Sequence, residues 1–96
     1  MKEREYILSL YEIYNKLLSE REKTYFEDYY FEDLSLQEMA DNYSVSKSYV
    51  GKLINSIENK LIKYEESLNI YNKNNKIKEI IRDLDSSIAS KIEELL

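Results

Sequence analysis

The sequence predicts an all-α fold of about five helices around a central helix-turn-helix, and three observations carry that reading. The 96-residue chain has no proline and one glycine, Gly51, so nothing in it removes a backbone donor or forces a kink. Apolar residues recur at three- and four-residue steps through most of its length, the period of a one-sided helix. Two Ser-x-x-Glu runs, Ser19 to Glu22 and Ser35 to Glu38, have capping-box spacing, in which hydroxyl and carboxylate satisfy free amides at a helix start.

The first helix is expected over about Arg4 to Leu18, with Ile7, Leu10, Tyr14 and Leu17 as its apolar stripe and Tyr6, Ile13 and Leu18 widening it. Ser19 caps a second helix, about Glu20 to Glu32. Its aromatic face of Tyr25, Phe26, Tyr29 and Tyr30 reads as core rather than as a platform for stacking bases. Ser35 opens a short third helix, Leu36 to about Tyr43. Ser44-Val45 turns the chain, and Ser46 caps a fourth helix that keeps one apolar stripe (Val50, Leu53, Ile54, Ile57, Leu61, Tyr64) to about Leu68. At 1.5 Å per residue that helix spans roughly 33 Å.

Asn69 to Asn75, with four asparagines, is the expected loop, because asparagine competes with the helix backbone. A fifth helix is expected from about Lys76 to Leu95, with Ile77, Ile81, Leu84 and Ile88 stepping by four, three and four, close to a coiled-coil seam. Packing onto the first helix and pairing in a homodimer would each explain this stripe. Residues 1–96 read as one domain, with the helix-turn-helix core at about 20–66 and the C-terminal helix at about 76–95. A chain this short buries only about 60–65% of the surface its unfolded form exposes, so self-association would help it.

Cysteine and histidine are both absent. Disulfides, thiol nucleophiles, histidine bases and ordinary zinc sites are thereby excluded, and no metal, cofactor or small-molecule ligand is expected. The acidic run Glu27, Asp28, Glu32 and Asp33 lacks calcium-loop spacing and reads as a solvated face. No constellation of carboxylates or lysines points to catalysis, so an enzyme is not expected. The opening Met1-Lys2-Glu3-Arg4-Glu5 leads into no apolar leader core, and no stretch is apolar enough to span a membrane. The expectation is a cytoplasmic protein without membrane contact.

The formal net charge is −5, which by itself does not suggest a nucleic-acid binder. Its distribution is uneven. Residues 1–34 hold five basic and nine acidic side chains, residues 35–64 four and three, and residues 65–96 five and seven. The centre is thus the segment least hostile to phosphate. If the fourth helix enters a groove, its buried stripe leaves Ser46, Lys47, Ser48, Tyr49, Gly51, Lys52 and Asn55 to face the ligand. Ser46 and Ser48 then bond phosphate, Lys47 and Lys52 neutralise it, and Tyr49 and Asn55 are the base readers. Gly51 costs about 1 kcal/mol against alanine in a helix, which a close backbone approach would explain.

The stretch Leu17 to Ala40, and most specifically Tyr29-Tyr30-x-x-Asp33-Leu34-Ser35-Leu36, resembles the bacterial YlxM family. Tyr43 to Val50 continues the resemblance, which covers about Tyr6 to Glu66. It implies a sigma-region-4-like all-helical domain with an added C-terminal helix, often self-associated. It also implies a DNA-binding regulatory protein, encoded beside signal recognition particle components and acting on that pathway through the particle's RNA or its GTPase protein. Lys47-Ser48 stands where the family often has Arg-Gln, which removes a side chain suited to bidentate base contact. Gln37 replaces a frequent glycine. The alternative reading is a protein-interaction module that keeps the helix-turn-helix as scaffold and offers an acidic surface to a basic partner.

Overall fold

A computed structural model describes residues 3–96; Met1 and Lys2, the start of the stretch inspected for a leader, lie outside the described residues. Among the described residues there are six α-helices and no strand. These are α1 (Arg4–Tyr14), α2 (Glu20–Tyr30), α3 (Leu36–Tyr43), α4 (Lys47–Leu68), α5 (Ile70–Ile81) and α6 (Ser86–Glu93), with a 3-10 turn at Asn15–Leu17. Both capping boxes form as their spacing predicts: Ser19 and Ser35 each accept the amide three residues on, and Glu22 and Glu38 reach back.

Helix α4 is the spine, and α1, α2 and α3 pack along it. Its stripe of Val50, Ile54, Ile57 and Leu61 meets Ile7, Leu10 and Tyr14 of α1, Tyr25, Phe26 and Tyr30 of α2, and Met39 and Ala40 of α3 in one buried cluster. Each large apolar side chain in it contributes roughly 1.5–3 kcal/mol. Tyr11 stacks on Phe26 at 4.0 Å between ring centres, and Phe26 on Tyr30 at 4.4 Å. Tyrosine hydroxyls donate to carboxylates, Tyr14 to Glu65 in the interior and, nearer the rim, Tyr11 to Glu27, Tyr30 to Glu58 and Tyr43 to Asp28. The aromatic face of α2 is core, as expected, while Glu27 and Asp28 serve those hydroxyls as well as facing solvent.

Three expectations are corrected. The first helix stops at Tyr14, where the Asn15 side-chain amide bonds back to the carbonyls of Tyr11 (2.9 Å) and Glu12 (3.1 Å) and diverts the chain into a tighter turn. That turn exchanges two leucines: Leu18 is buried and Leu17 is exposed.

The loop expected over Asn69 to Asn75 shrinks to one left-handed residue, Asn69 (φ 55°, ψ 30°), from which α5 starts directly. The buried Glu65 carboxylate explains this, accepting the amides of Tyr71 at 3.0 Å and Asn72 at 3.1 Å. Capping from another helix outweighs the poor intrinsic propensity of the asparagines.

The continuous helix expected to Leu95 breaks between Ile81 and Ser86. Asp85 accepts both the amide (2.9 Å) and the hydroxyl (2.5 Å) of Ser87, starting α6 afresh and interrupting the coiled-coil spacing. Ile81 is buried, but Ile80, Leu84, Ile88 and Leu95 are exposed. The chain measures 55 × 25 × 24 Å with a radius of gyration of 16.8 Å, against about 12–13 Å for a compact chain of this length.

Candidate nucleic-acid interface

The corner between α3 and α4 decides what α4 can offer to a ligand. Ser44 closes α3 in the left-handed conformation (φ 55°, ψ 44°), and the amide of Val45 returns to the carbonyl of Ala40 at 3.0 Å. Three residues thus separate the helices. Ala40 is buried where they cross, Val45 is half-buried, and Val50 is fully buried one turn into α4. Anchored there, α4 presents Lys47, Ser48, Tyr49, Lys52 and Asn55, all exposed. Sequence spacing had grouped these residues, and the fold brings them together on one surface.

Ser46 also lies at this edge, but its Oγ accepts the amide of Tyr49 at 3.0 Å. It is first of all the cap of α4. Gly51 lines the cleft beside Leu36. A methyl placed on it would meet Leu36 Cδ1 at 3.6 Å, an ordinary contact. The close approach expected there is not made by the chain itself.

Sequence spacing missed one participant. Arg21, in the first turn of α2, places its guanidinium 5.3 Å from the ring centre of Tyr49 and 5.7 Å from that of Tyr25. It also donates to the Tyr49 hydroxyl. Tyr25 in turn stacks on Tyr43 at 4.6 Å. The phenol expected to read a base is therefore tied to a cation from another helix, and that cation adds positive charge beside the start of α4. Nothing local in the sequence pairs positions 28 residues apart.

Further along α4, Lys60 Nζ lies 2.6 Å from Glu22 Oε2. Burial works against ionisation of Glu22, but the hydrogen bonds from Lys60 and from the Ser19 amide outweigh it and hold this carboxyl below its ordinary range. The same bond raises the Lys60 ammonium above its ordinary value. Hydrogen bonding to Asp28, aided by burial, pushes the Tyr43 hydroxyl up to about 12. Among the described residues, no group of three or more acidic side chains is placed to hold a metal ion, and no helix is long and apolar enough to cross a membrane.

Comparison with known proteins agrees with this geometry. Residues 1–95 match the profile of UPF0122, described as "Putative helix-turn-helix protein, YlxM / p13 like", a description that names no enzyme class. A UPF0122 protein of Ureaplasma urealyticum serovar 10 is 37% identical over 91 residues, covering 94% of this chain and 92% of the relative. One from Shouchella clausii is 37% identical over 81 residues, covering 84% and 74%. One from Clostridium kluyveri is 35% identical over 100 residues, covering 100% and 90%. The chain belongs to the UPF0122 family of YlxM / p13-like helix-turn-helix proteins.

Proposed function

We propose that this protein is a regulatory helix-turn-helix protein that binds nucleic acid, either DNA or signal recognition particle RNA, through the N-terminal half of α4. The observation that carries this reading is the exposed surface of Lys47, Ser48, Tyr49, Lys52 and Asn55, held outward by the tight α3–α4 corner. Lys47 and Lys52 make no ion pair with a described residue, so both ammonium groups are available to phosphate. Ser46 and Ser48 supply hydroxyls at the same edge, and Arg21 steadies Tyr49 from behind. The protein acts in the cytoplasm as a homodimer, joined through the apolar side chains left exposed on α5 and α6.

Fluorescence anisotropy against random duplex DNA and particle RNA, at two salt concentrations, tests the proposal. Binding should weaken steeply with salt, and the double variant Lys47→Glu/Lys52→Glu should abolish it while the far-ultraviolet circular dichroism stays native. No retention of either nucleic acid at low salt overturns the reading. The net charge of −5 favours a second one, in which an acidic surface engages a basic protein such as that of the signal recognition particle. Capture of that protein unchanged by nuclease supports it, and loss of capture on nuclease treatment removes it.

A further inference from the structure

The surface just described does not stop at Asn55. Ser48, Lys52, Ser56, Asn59 and Lys63 step by four, four, three and four, so at about 100° per residue they stay within about 40° of one line along α4. All five are exposed, and the line lies opposite the buried Val50, Ile54, Ile57 and Leu61. It runs over 16 residues, roughly 22 Å. Its side chains are hydroxyl, ammonium, hydroxyl, amide and ammonium. The span holds one carboxylate, Glu58, which faces away from the line and accepts the Tyr30 hydroxyl.

Along the distal half, Lys52, Asn55, Ser56, Asn59, Lys60 and Lys63 line a shallow groove of about 360 Å³. Lys63, like Lys52, makes no ion pair with a described residue, while Lys60 is held at the edge by Glu22. In a chain with 19 acidic and 14 basic residues, an acid-free line of donors this long is a distinct feature of the surface.

Resting on the reading of α4 as the binding helix, we propose that this line is a single track for the sugar–phosphate backbone of a double-helical nucleic acid. The roughly 12 Å major groove of B-DNA and the wide, shallow minor groove of an RNA stem each admit a straight helix only across part of its length. An unbroken helix of 22 residues therefore carries its distal turns out over the backbone. Hydroxyl, amide and ammonium groups bond phosphate there without reading sequence. Lying over the backbone, its ammonium and amide groups meet phosphates rather than base edges, so its contribution is independent of sequence. It carries no aromatic ring to stack an unpaired base, so its ligand is duplex.

The test measures affinity for a 20-base-pair DNA duplex, an RNA stem of equal length and a single strand, across a salt series. The proteins compared are the full chain, Lys63→Gln, Asn59→Glu and, as a control on α5, Lys73→Gln. On a duplex, Lys63→Gln should lower the slope of log affinity against log salt by about one. Asn59→Glu should weaken binding about fivefold, equally on unrelated sequences. Lys73→Gln should change nothing. Loss on the DNA or the RNA arm supports the track and identifies its duplex. Duplex binding that Lys63→Gln and Asn59→Glu leave intact overturns the track and spares the binding reading, as does a preference for the single strand. No binding by the full chain overturns both.

Discussion

The Tyr14 hydroxyl of α1 donates to Glu65 Oε1 of α4 across 2.6 Å, joining residues 51 positions apart. The same carboxylate accepts the amides of Tyr71 and Asn72, and the Tyr14 oxygen accepts that of Ile70 at 3.2 Å. One buried acid thus fixes the turn between α4 and α5 and caps the helix that follows. Glu65→Ala should cost about 3 kcal/mol, and Tyr14→Phe about 1.5 kcal/mol, by orphaning buried polar groups. Urea unfolding gives both values. Hydrogen exchange in Glu65→Ala should quicken first at amides 70–72; uniform quickening over all helices would show that Glu65 does not cap α5.

Ser44 and Gly51 are each the less stable choice at their positions. Ser44 is left-handed at φ 55°, a conformation glycine adopts without the side-chain penalty. Gly51 is helical and has room for a methyl. Ser44→Gly should stabilise the fold by roughly 1 kcal/mol, and Gly51→Ala by about the same, each raising Tm by about 4–8 °C. A fall in Tm on Gly51→Ala would mean that the helix backbone needs that space.

Acid and base should destabilise this protein through different groups. Burial first, and then neighbouring carboxylates, hold Tyr6, Tyr11, Tyr14 and Tyr30 above the ordinary tyrosine value of 10.0; for Tyr43 the Asp28 hydrogen bond comes first. The folded state therefore keeps these protons after the unfolded state has lost them. Their contribution is complete below pH 10 and is lost as pH rises beyond it. Glu22 runs the other way: its depressed value gives stability above the ordinary carboxylate range that disappears as pH falls through the folded value. Stability measured against pH should be flat near neutrality and fall steeply above about pH 10. Tyr43→Phe should soften the alkaline limb, and an unchanged limb would remove Tyr43 from this account.

Ile80, Leu84, Ile88 and Leu95 lie exposed on the C-terminal arm. If they join two copies of the chain, Ile80→Asp/Ile88→Asp should halve the mass seen by sedimentation at micromolar concentration. Thermal stability should drop only by the linkage to dimerisation, because Ile80 is 67% and Ile88 50% exposed in one copy. An unchanged mass in the double variant removes this surface from the interface.

Those elements whose signals lie within one turn of chain were legible in the sequence: the two capping boxes, the bounds of α3 and α4, and the outward residues of α4 follow from contacts three or four positions apart. The resemblance carried by Tyr29 to Leu36 rested on the same local pattern. The break at Asp85 was also written locally, in Asp-Ser-Ser, though the apolar period running across it hid the signal. Tertiary structure decided the rest. Glu65 reads as a polar interruption of a stripe until Tyr14 and the start of α5 close over it. Arg21 joins the α4 surface only because α2 packs beside that helix. Three of the four asparagines that locally favour a loop are helical because an acid from another helix takes up the amides of Tyr71 and Asn72 at the start of α5. A capping residue bonds to its own neighbours and so can be read from spacing alone, whereas a buried carboxylate has no partner until distant helices supply one.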